Sequence, residues 1–190
     1  YEGALQSEFN LSLYREREAY NGQEFDLTYG SATFFFHPVA QLMVRFTGTV
    51  GDRVDYDNTR PGKRLNLTPY ISWFAGNHLR LSLSHTYERM DVHGRELYTT
   101  NKSQGTLIYQ LNTKMFFRSI VQYVDYKYNT DNYLFETDPE FKHLFMQLLL
   151  SYKLNPQTVV FLGYTDNFRG TVDYPITRSN RAFFLKIGYA

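Results

Sequence analysis

The chain has 190 residues and a net charge of +1, so it fits one domain of ordinary size and gives no electrostatic reason to expect nucleic acid. Cysteine is absent, which excludes a disulfide framework, a thiolate nucleophile and a Cys-ligated metal. Aromatic residues make up 18 %, with 17 Tyr, 16 Phe and one Trp, and no apolar run approaches the roughly 18 residues of a membrane helix.

The sequence opens at Tyr1 in what reads as a strand, without a starting Met, so a mature chain or fragment with a signal peptide upstream is expected. The first strand, predicted over 4–15, sets Phe9, Leu11 and Leu13 against Glu8, Asn10 and Ser12. A polar loop over 16–23 leads to a strand at 24–36 and the short turn His37-Pro38-Val39-Ala40. Strand 41–50 alternates Leu42, Val44 and Phe46 with Gln41, Arg45 and Thr47. A long loop (51–63) precedes strand 64–74, where Leu65, Leu67, Ile71 and Trp73 oppose Asn66, Thr68 and Ser72. After Ala75-Gly76-Asn77-His78, strand 79–89 alternates Leu79, Leu81 and Leu83 with Arg80, Ser82 and Ser84. Loop 89–103, strand 104–111, the turn Asn112-Thr113-Lys114 and strand 115–127 follow. Loop 128–142 comes next, and then strand 143–154 puts Leu144, Met146, Leu148, Leu150 and Tyr152 on one face and Gln147, Ser151 and Lys153 on the other. The turn Asn155-Pro156-Gln157, strand 158–165, loop 166–180 and strand 181–190 complete the chain; Phe183, Leu185, Ile187 and Tyr189 share the last apolar face.

A period of two over nearly the whole length specifies strands. Short turns alternating with long polar loops are the layout of an outer-membrane barrel. The mean hydropathy of −0.45 does not oppose this, because alternating lipid-facing and lumen-facing residues cancel in the average. The expectation is all-β: an antiparallel up-and-down transmembrane β-barrel of ten strands in a bacterial outer membrane. Long loops would be extracellular and both termini periplasmic. Its surroundings would be outer-membrane lipid and lipopolysaccharide, with the barrel-assembly machinery as partner during biogenesis. A soluble β-sandwich or soluble barrel also alternates, but here the apolar face runs through every strand, the first and last included, and the opposite face is too polar for a sandwich core yet suits a lumen. Rings near the short turns read as a girdle at one membrane interface: Phe34, Phe36, Trp73, Phe117, Tyr152 and Tyr189, with Phe35, Phe74 and Phe116 beside them. Tyr14, Tyr20, Tyr56, Tyr87, Tyr126, Tyr128 and Phe168 read as the second girdle, near the long loops.

If the leucines face lipid, Arg45, Arg80, Arg118, Lys153 and Lys186 point inward, each three to five residues from a short turn or the terminus. They form a predicted basic belt, with Asp26, Glu88 and Asp166 as inward carboxylates farther out. Two readings of the belt stand side by side: a ring that selects or docks anions, and a salt-bridge network filling a narrow barrel. Catalysis has weaker support. His37, His78, His85, His93 and His143 form no local ligand pair, so no metal and no cofactor are expected. His85, Glu88, Asp91, Asp125, Asp166, Ser84 and Ser119 are ingredients of a rim-active hydrolase, without a motif of that class. Asp131, Asn132 and Asp138 lack EF-hand spacing. Tyr20, Tyr56, Tyr98, Tyr133 and Tyr174, predicted in loops among Asn, Asp and Arg, can stack on sugars or contact a partner protein.

The end of the chain carries a resemblance. Ser151-Tyr152-Lys153-Leu154-Asn155-Pro156-Gln157-Thr158, then Val159-Val160-Phe161-Leu162-Gly163-Tyr164-Thr165-Asp166-Asn167-Phe168, then Arg181-Ala182-Phe183-Phe184-Leu185-Lys186-Ile187-Gly188-Tyr189 is similar to the C-terminal end of a family of bacterial outer-membrane proteins. Its members join an N-terminal carbohydrate-binding-module-like domain of the family-nine type to a C-terminal β-barrel domain of unknown function. The resemblance covers about the last quarter of the chain. It implies that these residues are the closing part of a larger barrel and that a sugar-binding module lies upstream. The last strand also resembles the signal read by barrel-assembly machinery, which ordinarily ends on an aromatic residue; Ala190 in that place implies that a few residues follow. The leading expectation is a non-enzymatic channel or docking scaffold for a polar molecule, saccharide or anionic. A rim-active hydrolase and a structural barrel subunit that binds partner proteins are the alternatives.

Overall fold

The computed structural model describes residues 2–3 and 6–189. The expected start of the first strand at 4–5 and the terminal Ala190 lie outside the described residues. Eleven strands form one antiparallel sheet in chain order: β1 (Glu2–Gly3), β2 (Ser7–Tyr20), β3 (Gln23–Val39), β4 (Leu42–Asp55), β5 (Arg60–Ala75), β6 (Leu79–Val92), β7 (Arg95–Asn112), β8 (Met115–Tyr128), β9 (Glu140–Asn155), β10 (Thr158–Thr171) and β11 (Thr177–Tyr189). Every strand pairs with its chain neighbour, so the topology is an up-and-down meander of ten long strands and one two-residue strand. No α-helix forms among the described residues. Nor does β11 pair with β2 there, and the expected closure into a barrel is not seen.

The strands run well past their predicted ends at the side away from the short turns. The expected loops 16–23 and 89–103 are two-residue hairpins. Asn21 (φ 47°) with Gly22 (φ 77°), and His93 (φ 53°) with Gly94 (φ 75°), turn the chain with both central residues in the left-handed region, the geometry that matches strand twist. Loop 51–63 contracts to a four-residue turn at 56–59 and loop 166–180 to 172–176. Only 129–139, with a 3-10 turn at Thr130–Asn132, remains a long connection. In these extensions the apolar alternation stops but backbone pairing continues, so a reading built on hydropathy mistook them for loops.

The two faces of the sheet differ in chemistry. Following the register across the strands, one face carries Phe9, Leu11, Leu13; Phe34, Phe36; Leu42, Val44, Phe46, Val50; Leu65, Leu67, Ile71, Trp73; Leu79, Leu81, Leu83; Leu107, Tyr109; Phe117, Val121; Leu144, Met146, Leu148, Leu150, Tyr152; Val160, Leu162; and Phe183, Leu185, Ile187, Tyr189. This apolar face is uncovered. Leu13 is 80 % exposed, Leu83 62 % and Leu185 68 %. In β4, β5 and β9 the band spans 42–50, 65–73 and 144–152, a length that matches the 9–11 residues of a tilted strand crossing a bilayer. It then gives way on the same face to Asp52, Lys63 and Lys142, and on β6 to Arg89 and Asp91.

Packing sits on the opposite, polar side, at the end remote from the short turns. Phe25, Leu27 and Val54 form one buried cluster with Tyr56 against it; Met90, Val92 and Leu97 form another with Tyr98 and Tyr133. Gly62 is required there, because a side chain would run into Met90 and the Asp91 carbonyl. At the other end of the sheet, Gly163 on β10 lies opposite Phe184 on β11, and the ring fills the space a Cβ would need.

Candidate functional site on the polar face

The predicted belt residues share the polar face. Arg45 pairs in register with Tyr70, Arg80 with Phe74 and Ile108, and Arg118 with Ile108 and Leu149. Lys153 lies opposite Val159, and Lys186 opposite Phe161. The predicted carboxylates divide. Glu88 lies on the polar face, opposite Asn66 and Thr100. Asp26 and Asp166 do not: Asp26 faces Arg17 in register with the Leu11 side, and Asp166 lies beside Tyr164 in register with Met146, so both belong to the apolar side beyond its band. The error is one of parity, because a period of two fixes the face from any neighbour and Leu162 already assigns Asp166. All six named girdle rings, Phe34, Phe36, Trp73, Phe117, Tyr152 and Tyr189, fall on the apolar face. Phe35, Phe74 and Phe116, set beside them from the sequence, lie on the polar face, as do Tyr14, Tyr126 and Tyr128 from the second group.

Charge on the polar face is compensated at one end and not at the other. Every ion pair among the described residues lies in the half remote from the short turns. On the polar face Arg60 meets Asp55 at 2.9 Å and Arg64 meets Glu88 at 3.8 Å, while on the apolar side, past its band, Arg178 meets Asp166 at 2.9 Å. Glu88 also accepts hydrogen bonds from Asn66 Nδ2 (2.7 Å) and the Tyr98 hydroxyl (2.8 Å). The belt cations have no carboxylate within 4.0 Å among the described residues. Arg45 instead lies over the Tyr70 ring (4.9 Å) and Arg80 over Phe74 (5.1 Å). Arg118 Nη2 donates to Gln147 Oε1 at 3.0 Å, and its buried Nε has no partner. A salt-bridge network does not describe this half of the sheet. On this face lies a hollow of about 230 Å³, lined by Tyr70, Arg80, Ser82, Ser84, Gln104 and Thr106.

The long connection is folded back rather than free. Arg60 Nη2 donates to the Asn132 carbonyl, Leu134 N–H to Asn58 Oδ1 (3.0 Å), and Asn129 Nδ2 to the Glu96 carbonyl (2.9 Å). Asn58 is fixed in turn by Asp55, which is 4 % exposed and salt-bridged to Arg60. Residues 129–139 thereby span from β7 to the β4–β5 turn, with Tyr133 packed into the Met90 cluster. Burial, and then the neighbouring Tyr128, Asp57 and Asp55, push the Tyr133 phenol well above its ordinary pKa. Sequence reasoning missed Asn58 and Arg60 because their contacts with Leu134 and Asn132 join segments more than 70 residues apart, and Asp55 because it acts through those two.

Among the histidines, His85 faces the apolar side opposite Ser103, with Nδ1 2.8 Å from Ser103 Oγ. The pair borders a hollow of about 530 Å³, which Pro69, Ile71, Leu83, Gly105 and Val121 help to line. No group of three or more His, Asp or Glu side chains that could hold a metal occurs among the described residues. Comparison with protein-family models finds no match, and comparison with curated proteins finds none either.

Proposed function

We propose that this chain is wall of a transmembrane β-barrel in a bacterial outer membrane, with the apolar face in lipid and the polar face lining a passage or dock for a polar, anionic solute. The carrying observation is the pair of faces. A band one bilayer deep is uncovered across the whole sheet, while the buried clusters and the folded-back segment 129–139 are on the other side. In water so large an apolar surface would drive association, since monomers rarely expose more than a few hundred Å² in one patch. In lipid it is the stabilised state. The belt adds the solute's sign, because cations without carboxylate partners favour anions. The resemblance of the last quarter to barrel domains with an attached sugar-binding module agrees with this location and with an acidic saccharide as solute. Neither metal nor cofactor enters the reading.

The test is reconstitution. The chain should refold into phospholipid vesicles and, in planar bilayers, conduct with preference for anions. Arg45→Glu, Arg80→Glu and Arg118→Glu together should swing that preference to cations. A polypeptide that stays monodisperse in detergent-free buffer and ignores vesicles would sink the proposal.

One observation favours a second reading, hydrolysis of lipid at the wall. Ser103 and His85 form a hydroxyl–imidazole contact of 2.8 Å beside an apolar hollow suited to an acyl chain. No carboxylate orients the imidazole among the described contacts, as nucleophilic catalysis ordinarily requires. Release of fatty acid from phospholipid vesicles that is abolished by Ser103→Ala would establish this reading; equal release from the variant would remove it.

A further inference from the structure

We infer that the hollow beside Arg80 and Tyr70 is a binding site for a small hydroxylated molecule bearing one anionic oxygen group, carboxylate or phosphate. The inference rests on the polar face lining an aqueous space, and it names the solute class for that face.

The shape follows from side-chain size. Across β5, β6 and β7 the register aligns Tyr70, Ser84 and Gln104 in one row and Ser72, Ser82 and Thr106 in the next. Small hydroxyl residues, Ser82, Ser84 and Thr106, make a low floor; Tyr70, Arg80 and Gln104 stand around it. The volume of about 230 Å³ is below that of drug-sized ligand pockets, so it suits a sugar-sized solute.

The chemistry follows from what the lining leaves unpaired. Arg80 borders the hollow, and Arg45 lies over the ring of the lining residue Tyr70, outside the lining itself. An aromatic ring covers one face of each guanidinium, so the planar group is held and partly dehydrated while its N–H edges point elsewhere. Neither has a carboxylate partner among the described residues. The nearest carboxylate on this half of the face is Glu8, two strands from Arg45 in register and already accepting from Asn10. The Arg80 guanidinium supplies charge-assisted bonds to an anionic oxygen, Arg45 adds positive charge across the Tyr70 ring, and the Ser, Thr and Gln side chains match hydroxyls.

The whole chain, refolded in vesicles or mild detergent, would be titrated calorimetrically with glucuronate, glucose 6-phosphate and glucose. Both acids should bind and glucose should not. Arg80→Gln and Arg45→Gln should each weaken binding by about tenfold or more, the scale of one charge-assisted hydrogen bond. Ser82→Val keeps every charge and suits a strand, yet fills the floor, and should also abolish binding. Lys102→Gln, on the same face outside the hollow, serves as control. If the chain inserts but glucose binds as well as the acids, or the Arg variants bind as the parent does, the site is refuted while the barrel wall stands. If one acid alone binds, it identifies the anionic group. Failure to insert overturns the barrel proposal itself.

Discussion

Leu148 on β9 lies between Ser119 and Tyr164 in register, midway along a band whose ends are marked by Tyr152 and Lys142. Its side chain has nothing packed over it on the uncovered face, so its contribution is set by the solvent that face meets. Leu148→Arg should destabilise the folded chain in vesicles by about 2–4 kcal/mol, the cost of a cation near the bilayer midplane. Denaturant titration of the vesicle-bound protein measures it. The same change at Thr28, on the same side but past the band opposite Arg15, should cost much less. Equal effects at both positions would mean that depth does not matter and lipid is not the solvent.

Among the elements, the segment 129–139 differs most from a free loop. Its hold depends on Asn58, whose Oδ1 accepts from Leu134 N–H while its Nδ2 donates to Asp55 at 2.8 Å. Asn58→Ala removes both bonds and leaves a buried carboxylate one donor short. It should loosen the segment by about 1–3 kcal/mol, seen as faster limited proteolysis within 129–139 while the strands stay resistant. Unchanged cleavage would mean that the Met90 cluster and Tyr133 hold the segment without the turn. Strand order and face were legible in the sequence wherever leucines alternate, as in β6 and β9, because burial and lipid exposure both write a period of two. Strand ends were not. From 16 to 18 and from 99 to 103 the side chains are polar on both faces, and only backbone pairing shows the strand. Asn21-Gly22 was a readable hairpin signal, because left-handed geometry at two successive positions favours that pair. The belt's face followed from parity; its lack of carboxylate partners needed neighbouring strands in register. The Asp55–Asn58–Arg60 clasp had no local signature at all.

At the scale of the whole molecule, the sheet is open. Among the described residues the outer edge of β11 has no partner, and β2 is paired on its outer side only by Glu2–Gly3. An open edge is not tolerated in hydrocarbon, so in a bilayer each edge must find a strand, in this chain or in another segment. The apolar face reaches both edges without thinning: Leu11 and Leu13 on β2, Leu185 and Ile187 on β11.

The close fit of Phe184 over Gly163 bears on how that last edge is made ready. A hairpin threaded two residues out of step would set the Phe184 ring against Phe161 or Thr165, where a side chain already occupies the space. Of these three alignments only the one observed sets the ring over a glycine, so the contact favours a single register for the final hairpin.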